Sequence, residues 1–379
     1  MQRRQFIKTL TWTAASGFTL GVRNLPGGAP LLPGVPLPPG PPKPTAAALT
    51  PGVPDYSHIP NITGPYSVEM PSIPFDAPAG SWTLVAMPDT QSMAAYAPME
   101  FTRQTEWIAA HRDRHNILFV AHEGDLVEVP SERAMWINAQ TSMQVLKKAG
   151  IPYCILPGNH DLMGHDMRGT LMNDFFSSED YSNSAAFGLF EPGKMENSWH
   201  EFTTPTGKHL LLALEFGPRN AVVDWADQIV TQRPDRKTII VVHSHLDAAS
   251  TRYNWKAKGK AQIYSPYSYD IALNGDVNDG EDLWNKLLRK HRNIYMVLCG
   301  HELFRGTGYL MSEGDYGQRI HQVLANYQIG VEPDRPYCGG AYLRLMQFHP
   351  DGSTIRVKSY SPWLNQWLTT KDQQFTITV

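Results

Sequence analysis

The sequence predicts an α/β fold built on a parallel sheet, and three observations carry that prediction. Short apolar runs alternate with helix-period segments in the order 82–88, 101–112, 117–121, 131–148 and 151–156, which is the β-α-β-α-β pattern of strands with covering helices. Five apolar runs end abruptly in polar residues suited to ligation: Asp89-Thr90-Gln91, Asp125, Asn159-His160-Asp161, His243 and Gly300-His301. The first intervals are regular, with 36 residues from Asp89 to Asp125 and 34 from Asp125 to Asn159. Each interval fits one helical crossover, so neighbouring parallel strands would deliver these groups to one edge of the sheet.

The elements can be justified in order. Residues 82–88 form the first apolar run, closed by Pro88. Phe101, Trp107 and Ile108 give residues 101–112 an apolar side, and residues 117–121 are the next strand. Ser131 is the expected N-cap of a helix running through Lys148, with Met135, Trp136, Met143, Val145 and Leu146 available to a core. Ala149-Gly150 closes it. The stretch Ile151-Pro-Tyr-Cys-Ile-Leu-Pro-Gly-Asn-His-Asp161 then turns from strand to ligand cluster at Pro157-Gly158. Residues 161–198 read as an insert. Strands are expected at 209–216, 238–242 and 293–299, and helices at 221–231 and 280–291, while 247–278 is polar and aromatic without periodicity. From there to Val379 the chain has hairpin character, with turns at Gly314-Asp315-Tyr316-Gly317 and Asp351-Gly352.

Three regions are expected: an export signal at 1–25, a Pro-rich linker and extended lead-in at 26–80, and a catalytic domain at 81–379. Arg3-Arg4-Gln5-Phe6-Ile7-Lys8 is a twin-arginine pattern. The stretch after it contains Thr, Ser and Gly and is too short and polar for a stable membrane span. The expected partner at this end is the twin-arginine export machinery, and the expected location is periplasmic or extracellular. Residues 26–54 are too rich in Pro, Gly and Ala to build a core.

The chain has 379 residues, 42% of them hydrophobic, which suffices for a large core. A net charge of -3 gives no broad attraction to nucleic acid or anionic membrane. The three cysteines, Cys154, Cys299 and Cys338, have no metal-binding spacing and read as buried small apolar groups, with one disulfide left open.

Carboxylates, an amide oxygen and imidazoles converging on one sheet edge suit divalent metals, which can clamp a phosphoryl group and turn a water into a nucleophile. His245 competes with His243 for the ligand role. His122-Glu123 and His165-Asp166 are further candidates for lining the pocket, and Tyr264, Tyr267, Tyr269, Trp363 and Trp367 for an aromatic rim. No Gly-x-Ser-x-Gly elbow is present, which removes a serine-hydrolase reading.

The ordered set Asp89, Gly124-Asp125-Leu126-Val127, Gly158-Asn159-His160-Asp161, His243 and Gly300-His301 resembles the calcineurin-like metallophosphoesterase superfamily. Pro88-Asp89-Thr90-Gln91, Leu214-Glu-Phe-Gly-Pro218, His243-Ser-His-Leu246 and Leu324-Ala-Asn-Tyr-Gln328 look like its exported bacterial members. The resemblance covers about residues 82–362. It implies a four-layer α/β/β/α sandwich and a phosphoesterase acting on phosphomonoesters or phosphodiesters through a metal-bound hydroxide. It further implies that Asp89 and Gln91 bind the first metal, that Asp125 bridges, and that Asn159, His243 and His301 bind the second. His160 would face a small phosphoester substrate as a catalytic group, with Asp161 orienting its ring. One or two divalent ions are implied, Mn, Fe, Zn or Mg.

Two positions depart from the family pattern. Gln91 stands where a His is usual, and Leu303 stands where the second His of Gly-His-x-His is usual. The first metal site is thus poor in nitrogen ligands, which favours Mg²⁺ or Mn²⁺ over Zn²⁺. Glu302 is a further candidate to fill the gap. Leu303 leaves two alternatives beside the dinuclear enzyme: a catalytically weak or inactive binding or scaffold protein of the cell envelope, and a mononuclear hydrolase.

Overall fold

The computed structural model describes residues 78–164, 168–303, 306–328 and 338–379. The chain divides into two units, Met1–Ile62 and Thr63–Val379, and all described residues fall in the second. The expected signal segment, nearly all of the lead-in, and His165-Asp166 lie outside the described residues.

Among the described residues the strands are β1 (Trp82–Met87), β2 (Ile117–His122), β3 (Tyr153–Cys154), β4 (Ala186–Leu189), β5 (Ser198–Thr204), β6 (Gly207–Leu214) and β7 (Lys237–Val242). They continue with β8 (Ile294–Cys299), β9 (Thr307–Glu313), β10 (Arg319–Ala325), β11 (Leu343–Phe348), β12 (Thr354–Ser361), β13 (Gln366–Leu368) and β14 (Phe375–Thr378). The α-helices are α1 (Gln91–Tyr96), α2 (Pro98–Ala110), α3 (Arg133–Lys148), α4 (Met172–Phe175), α5 (Asn220–Thr231), α6 (Trp255–Lys258) and α7 (Gly280–Lys286).

Two seven-stranded sheets result. The first runs β13-β12-β11-β1-β2-β3, with β14 paired to β12, and the second runs β4-β5-β6-β7-β8-β10-β9. Side-chain alternation along each strand explains how they stack. In β1, Trp82, Leu84 and Ala86 point to one core, while Val85 and Met87 point to another. In β6, Leu211 and Ala213 join the core of Trp82 and Leu84, while Leu210, Leu212 and Leu214 pack with α5 and α7. The shared core lies between the sheets. Phe101, Trp107 and Ile108 of α2 and Trp136 of α3 cover the outer face of the first sheet. The layers are therefore α/β/β/α, as expected.

Parallel pairing sets the functional edge. β1 pairs with β2 at Met87↔His122, and β2 pairs with β3 at Ala121↔Cys154. In the second sheet β6, β7 and β8 are parallel, with Leu214↔Val242 and Val241↔Leu298 in register. The carboxyl ends of both parallel sets meet. Phe216 N–H, just beyond β6, donates to the carbonyl of Pro157, just beyond β3, at 3.1 Å. Gly300 N–H donates to the carbonyl of His243 at 3.0 Å.

Several boundaries differ from expectation. The third strand holds only Tyr153–Cys154, because Pro152 has no N–H and Pro157 ends the run. Helix α3 starts at Arg133, with Glu132 before it in extended backbone and no side-chain cap, so Ser131 is not the cap. Residues 161–198 contain α4, a 3-10 turn at Ser178–Tyr181 and the start of the β4–β5 hairpin. Cys154 and Cys299 are buried, Cys338 is half-buried, and none of the three is in a disulfide.

Candidate metal centre

The site forms where the strand ends turn sharply. Asp89, Asp125 and His301 all adopt left-handed backbone, with φ of 22°, 52° and 73°. Such conformations cost roughly 1–3 kcal/mol each in non-glycine residues and gather where function over-determines the backbone. Glycines beside them make the room. A Cβ on Gly158 would stand 2.1 Å from Asp125 Oδ1, and one on Gly300 would stand 2.1 Å from Asp89 Oδ1. A Cβ on Gly124 would stand 2.7 Å from His243 Nδ1. The glycines of the three motifs are thus required by the side chains they admit.

His243 is the centre of the cluster. Its Nδ1 donates to the carbonyl of Glu123 at 2.8 Å, which turns Nε2 toward the cluster. Around Nε2 stand Asn159 Oδ1 at 3.1 Å, His301 Nδ1 at 3.1 Å and Asp125 Oδ2 at 3.3 Å. His301 is oriented in the same manner, since its Nε2 donates to the carbonyl of Tyr264 at 2.8 Å, so its Nδ1 arrives without a proton. Four ligand atoms therefore face one another; a second proton on His243 satisfies them when no ion is bound, and a divalent cation suits the same place. The spacing fits a metal ion: donors sharing an ion at about 2.1 Å lie roughly 3.0 Å apart in octahedral and 3.4 Å apart in tetrahedral coordination. Oxygens of Asp89 and Asp125 and a ring nitrogen of His243 lie within 4.8 Å of one another, all three residues being buried.

The titration directions follow from that clustering. Burial opposes charge on His243, but the carboxylates of Asp125 and Asp89 outweigh it and push the imidazole up to about 9. Burial raises Asp89, with Asp125 adding to the effect. For Asp125 burial also acts upward, but His243 and His160 overcome it and hold the carboxylate well below its ordinary range. Burial and then the charge of His243 keep His301 neutral, at about 3.

His160 is half-buried at the rim of this cluster, and its N–H donates to Asp125 Oδ1 at 2.9 Å. Its ring Nδ1 meets the carbonyl of Glu128 at 3.0 Å and the Glu128 carboxylate at 3.7 Å. Burial lowers its pKa, but Asp125 and Glu128 more than reverse this, so the ring holds a proton above the usual imidazole range.

The expected role of Asp161 as orienter of that ring does not fit its contacts. Its oxygens accept from Gly158 N at 2.8 Å, Val127 N at 2.9 Å and Leu126 N at 3.1 Å. It clamps the Asp125 loop to the Asn159 loop, while Glu128 meets the ring. Gln91 lies beside the cluster, with Nε2 donating to Asp125 Oδ2 at 2.9 Å, and its Oε1 is buried without a partner among the described residues. His245 turns away, its Nε2 meeting Gln322 Oε1 at 2.9 Å. Glu302 also points elsewhere and accepts from the hydroxyl of Tyr253. His122 is buried against Thr90 rather than lining a pocket. Of the aromatic candidates, Tyr264 and Tyr269 border His301, whereas Trp367 packs on Tyr360.

Two residues at the site were not singled out from the sequence. Asn326 Nδ2 donates to Asp89 Oδ2 at 2.6 Å, and Glu128 contacts His160. Asn326 follows β10 in the way the ligands follow their strands, so its position just past an apolar run was the available signal.

Comparison with known proteins agrees with this geometry. A family model described as calcineurin-like phosphoesterase matches residues 83–323. The uncharacterized protein YvnB of Bacillus subtilis (strain 168) is 31% identical over 290 residues, covering 75% of this chain and 20% of YvnB. The chain thus spans about a fifth of the length of that relative. Among solved structures, purple acid phosphatase PPD1 from yellow lupin seeds is similar with a TM-score of 0.47 and 14% identity, over 79% of this chain and 54% of that one. GAP50, the anchor in the inner membrane complex of Plasmodium, is similar with a TM-score of 0.42 and 10% identity, over 79% and 89%. The match of the family model to residues 83–323, more than half of the chain, makes this chain a member of the calcineurin-like phosphoesterase family.

Proposed function

We propose that the chain is a metal-assisted hydrolase of small phosphoric monoesters or diesters. The observation that carries this reading is the convergence of four metal-ligating side-chain atoms on one point, with the His160 imidazole at its rim. Asp125 Oδ2, Asn159 Oδ1, His243 Nε2 and His301 Nδ1 would hold a divalent ion, with Asp89 beside them. Such an ion supplies positive charge against phosphate oxygens and lowers the pKa of water.

The chain's own residues supply the rest. The carbonyls of Glu123 and Tyr264 fix the tautomers of His243 and His301, so both rings present lone pairs. Asp161 sets the spacing of the two loops. In hydrolysis a water oxygen bonds to phosphorus as the ester P–O bond breaks, and the proton the water loses passes to solvent, which later reprotonates His160. His160, whose pKa Asp125 and Glu128 raise, gives its proton to the departing alkoxide.

The export reading belongs to this proposal too. The Arg3-Arg4 pattern supports passage through the twin-arginine machinery to the periplasm or beyond, and changing both to Lys should retain the protein in the cytoplasm. Among the described residues no helix is long and apolar enough to cross a membrane.

The function is tested with a chromogenic phosphomonoester and phosphodiester. Turnover should be abolished by chelation and restored by Mn²⁺, and His160→Ala should lower it by roughly 10²–10⁴-fold. Unchanged hydrolysis in both His160→Ala and Asp125→Ala would overturn the reading, and absence of turnover in folded, Mn²⁺-loaded protein would favour the envelope binding-protein alternative raised by Leu303.

A further inference from the structure

We infer that this chain holds one metal ion rather than a pair, because the first-metal position is closed by amide donors. The inference rests on reading the His243 cluster as the metal centre of the proposed hydrolase.

The two halves of the site differ in what their carboxylates face. Around His243 Nε2 the neighbours are an amide oxygen, a carboxylate oxygen and a ring nitrogen, the donor set of a metal ion. Around Asp89 the neighbours are donors. Asp89 Oδ2 accepts from Asn326 Nδ2 at 2.6 Å and from His301 N at 3.0 Å. Its Oδ1 lies 3.2 Å from His301 N and packs against Gly300. Neutral N–H groups therefore do for Asp89 what a second ion would do elsewhere.

Asn326 is not free to turn its oxygen inward. Its Oδ1 accepts from Gln328 N at 2.8 Å, and its own N–H donates to the carbonyl of Gly306 at 2.6 Å. The residue is 2% exposed. A Cβ on Gly306 would stand 1.7 Å from the Asn326 carbonyl oxygen, so the loops are pressed together there. On the other side Gln91 donates its amide to Asp125 Oδ2, and Leu303 offers no donor atom. Among the described residues, what remains for a second ion is Gln91 Oε1, a single neutral oxygen. Beyond Asp125, which is shared, the Asp89 side has a single neutral oxygen and no imidazole of its own, too poor a donor set for a stoichiometric site.

The test is metal counting on the full chain, stripped with chelator and equilibrated with excess Mn²⁺ before gel filtration. Elemental analysis should give one Mn²⁺ per chain, and electron paramagnetic resonance an uncoupled six-line spectrum. Two Mn²⁺ per chain with an exchange-coupled spectrum would overturn the inference, as would no bound metal. Combining Leu303→His with Asn326→Ala restores a nitrogen ligand and removes the amide, so this variant should bind a second equivalent; retention of a single equivalent would contradict the role given to Asn326. Turnover in the same samples separates the two claims. One Mn²⁺ without hydrolysis supports the single ion and overturns the hydrolase, whereas two Mn²⁺ with hydrolysis overturns only the single ion.

Discussion

Gly158 lies flush against Asp125: a side-chain carbon at Gly158 would stand 2.1 Å from Asp125 Oδ1 and 2.5 Å from its backbone nitrogen. Both partners are pinned, since Asp161 holds Gly158 N and Leu126 N with the same oxygen, Oδ2. Gly158→Ala must therefore displace the carboxylate that the proposed ion needs. It should cost about 1–3 kcal/mol in urea unfolding and lower Mn²⁺ affinity at least about tenfold. Unaltered metal affinity would show that Asp125 can move without consequence.

Asp161→Asn tests the clamp. Three backbone N–H groups share the two Asp161 oxygens, and the amide offers only one oxygen. The buried donors left unpaired should cost about 1–3 kcal/mol of stability, with weaker metal binding as a consequence. If Asp161 instead acted on the His160 ring, the variant would keep its unfolding midpoint and lose only turnover.

Stability should fall with acid through residues far from the site. His209 is buried between Trp82 and Phe202, with neither ring nitrogen bonded among the described residues. Burial, and then the charge of Lys237, push it down from 6.5 to about 3. The folded state thus binds fewer protons than the unfolded one. The stability associated with neutral His209 is present above pH 6.5 and is lost as pH falls from there toward 3. His209→Phe should remove this dependence and raise the urea midpoint most near pH 4. Parallel pH profiles for the two proteins would refute the assignment.

Much of the fold was legible because its signals are local. The intervals between Asp89, Asp125 and Asn159 match single crossovers, and the observed pairs Met87↔His122 and Ala121↔Cys154 put those residues on one edge. The apolar runs at 209–216 and 238–242 likewise became β6 and β7, both almost continuously buried. The β4–β5 hairpin was not legible, since β4 is half-buried along its length and lacks an alternating pattern. At the site, residue types and their strand-end positions were readable, but partners across the fold were not. Asn326 reaches Asp89 over 237 residues, and its second bond, to Gln328, decides which way its amide points. Asp161 misled because it adjoins His160 in sequence, while three backbone N–H groups claim its oxygens in space.

The central claim is that the His243 cluster is a metal-dependent hydrolytic centre, and titration of stripped protein with Mn²⁺ tests it most directly. Hydrolysis of the chromogenic ester should rise in step with bound Mn²⁺, and His243→Ala should lose both together. Hydrolysis that is independent of metal, or Mn²⁺ that binds His243→Ala as tightly as the native chain, would contradict the account.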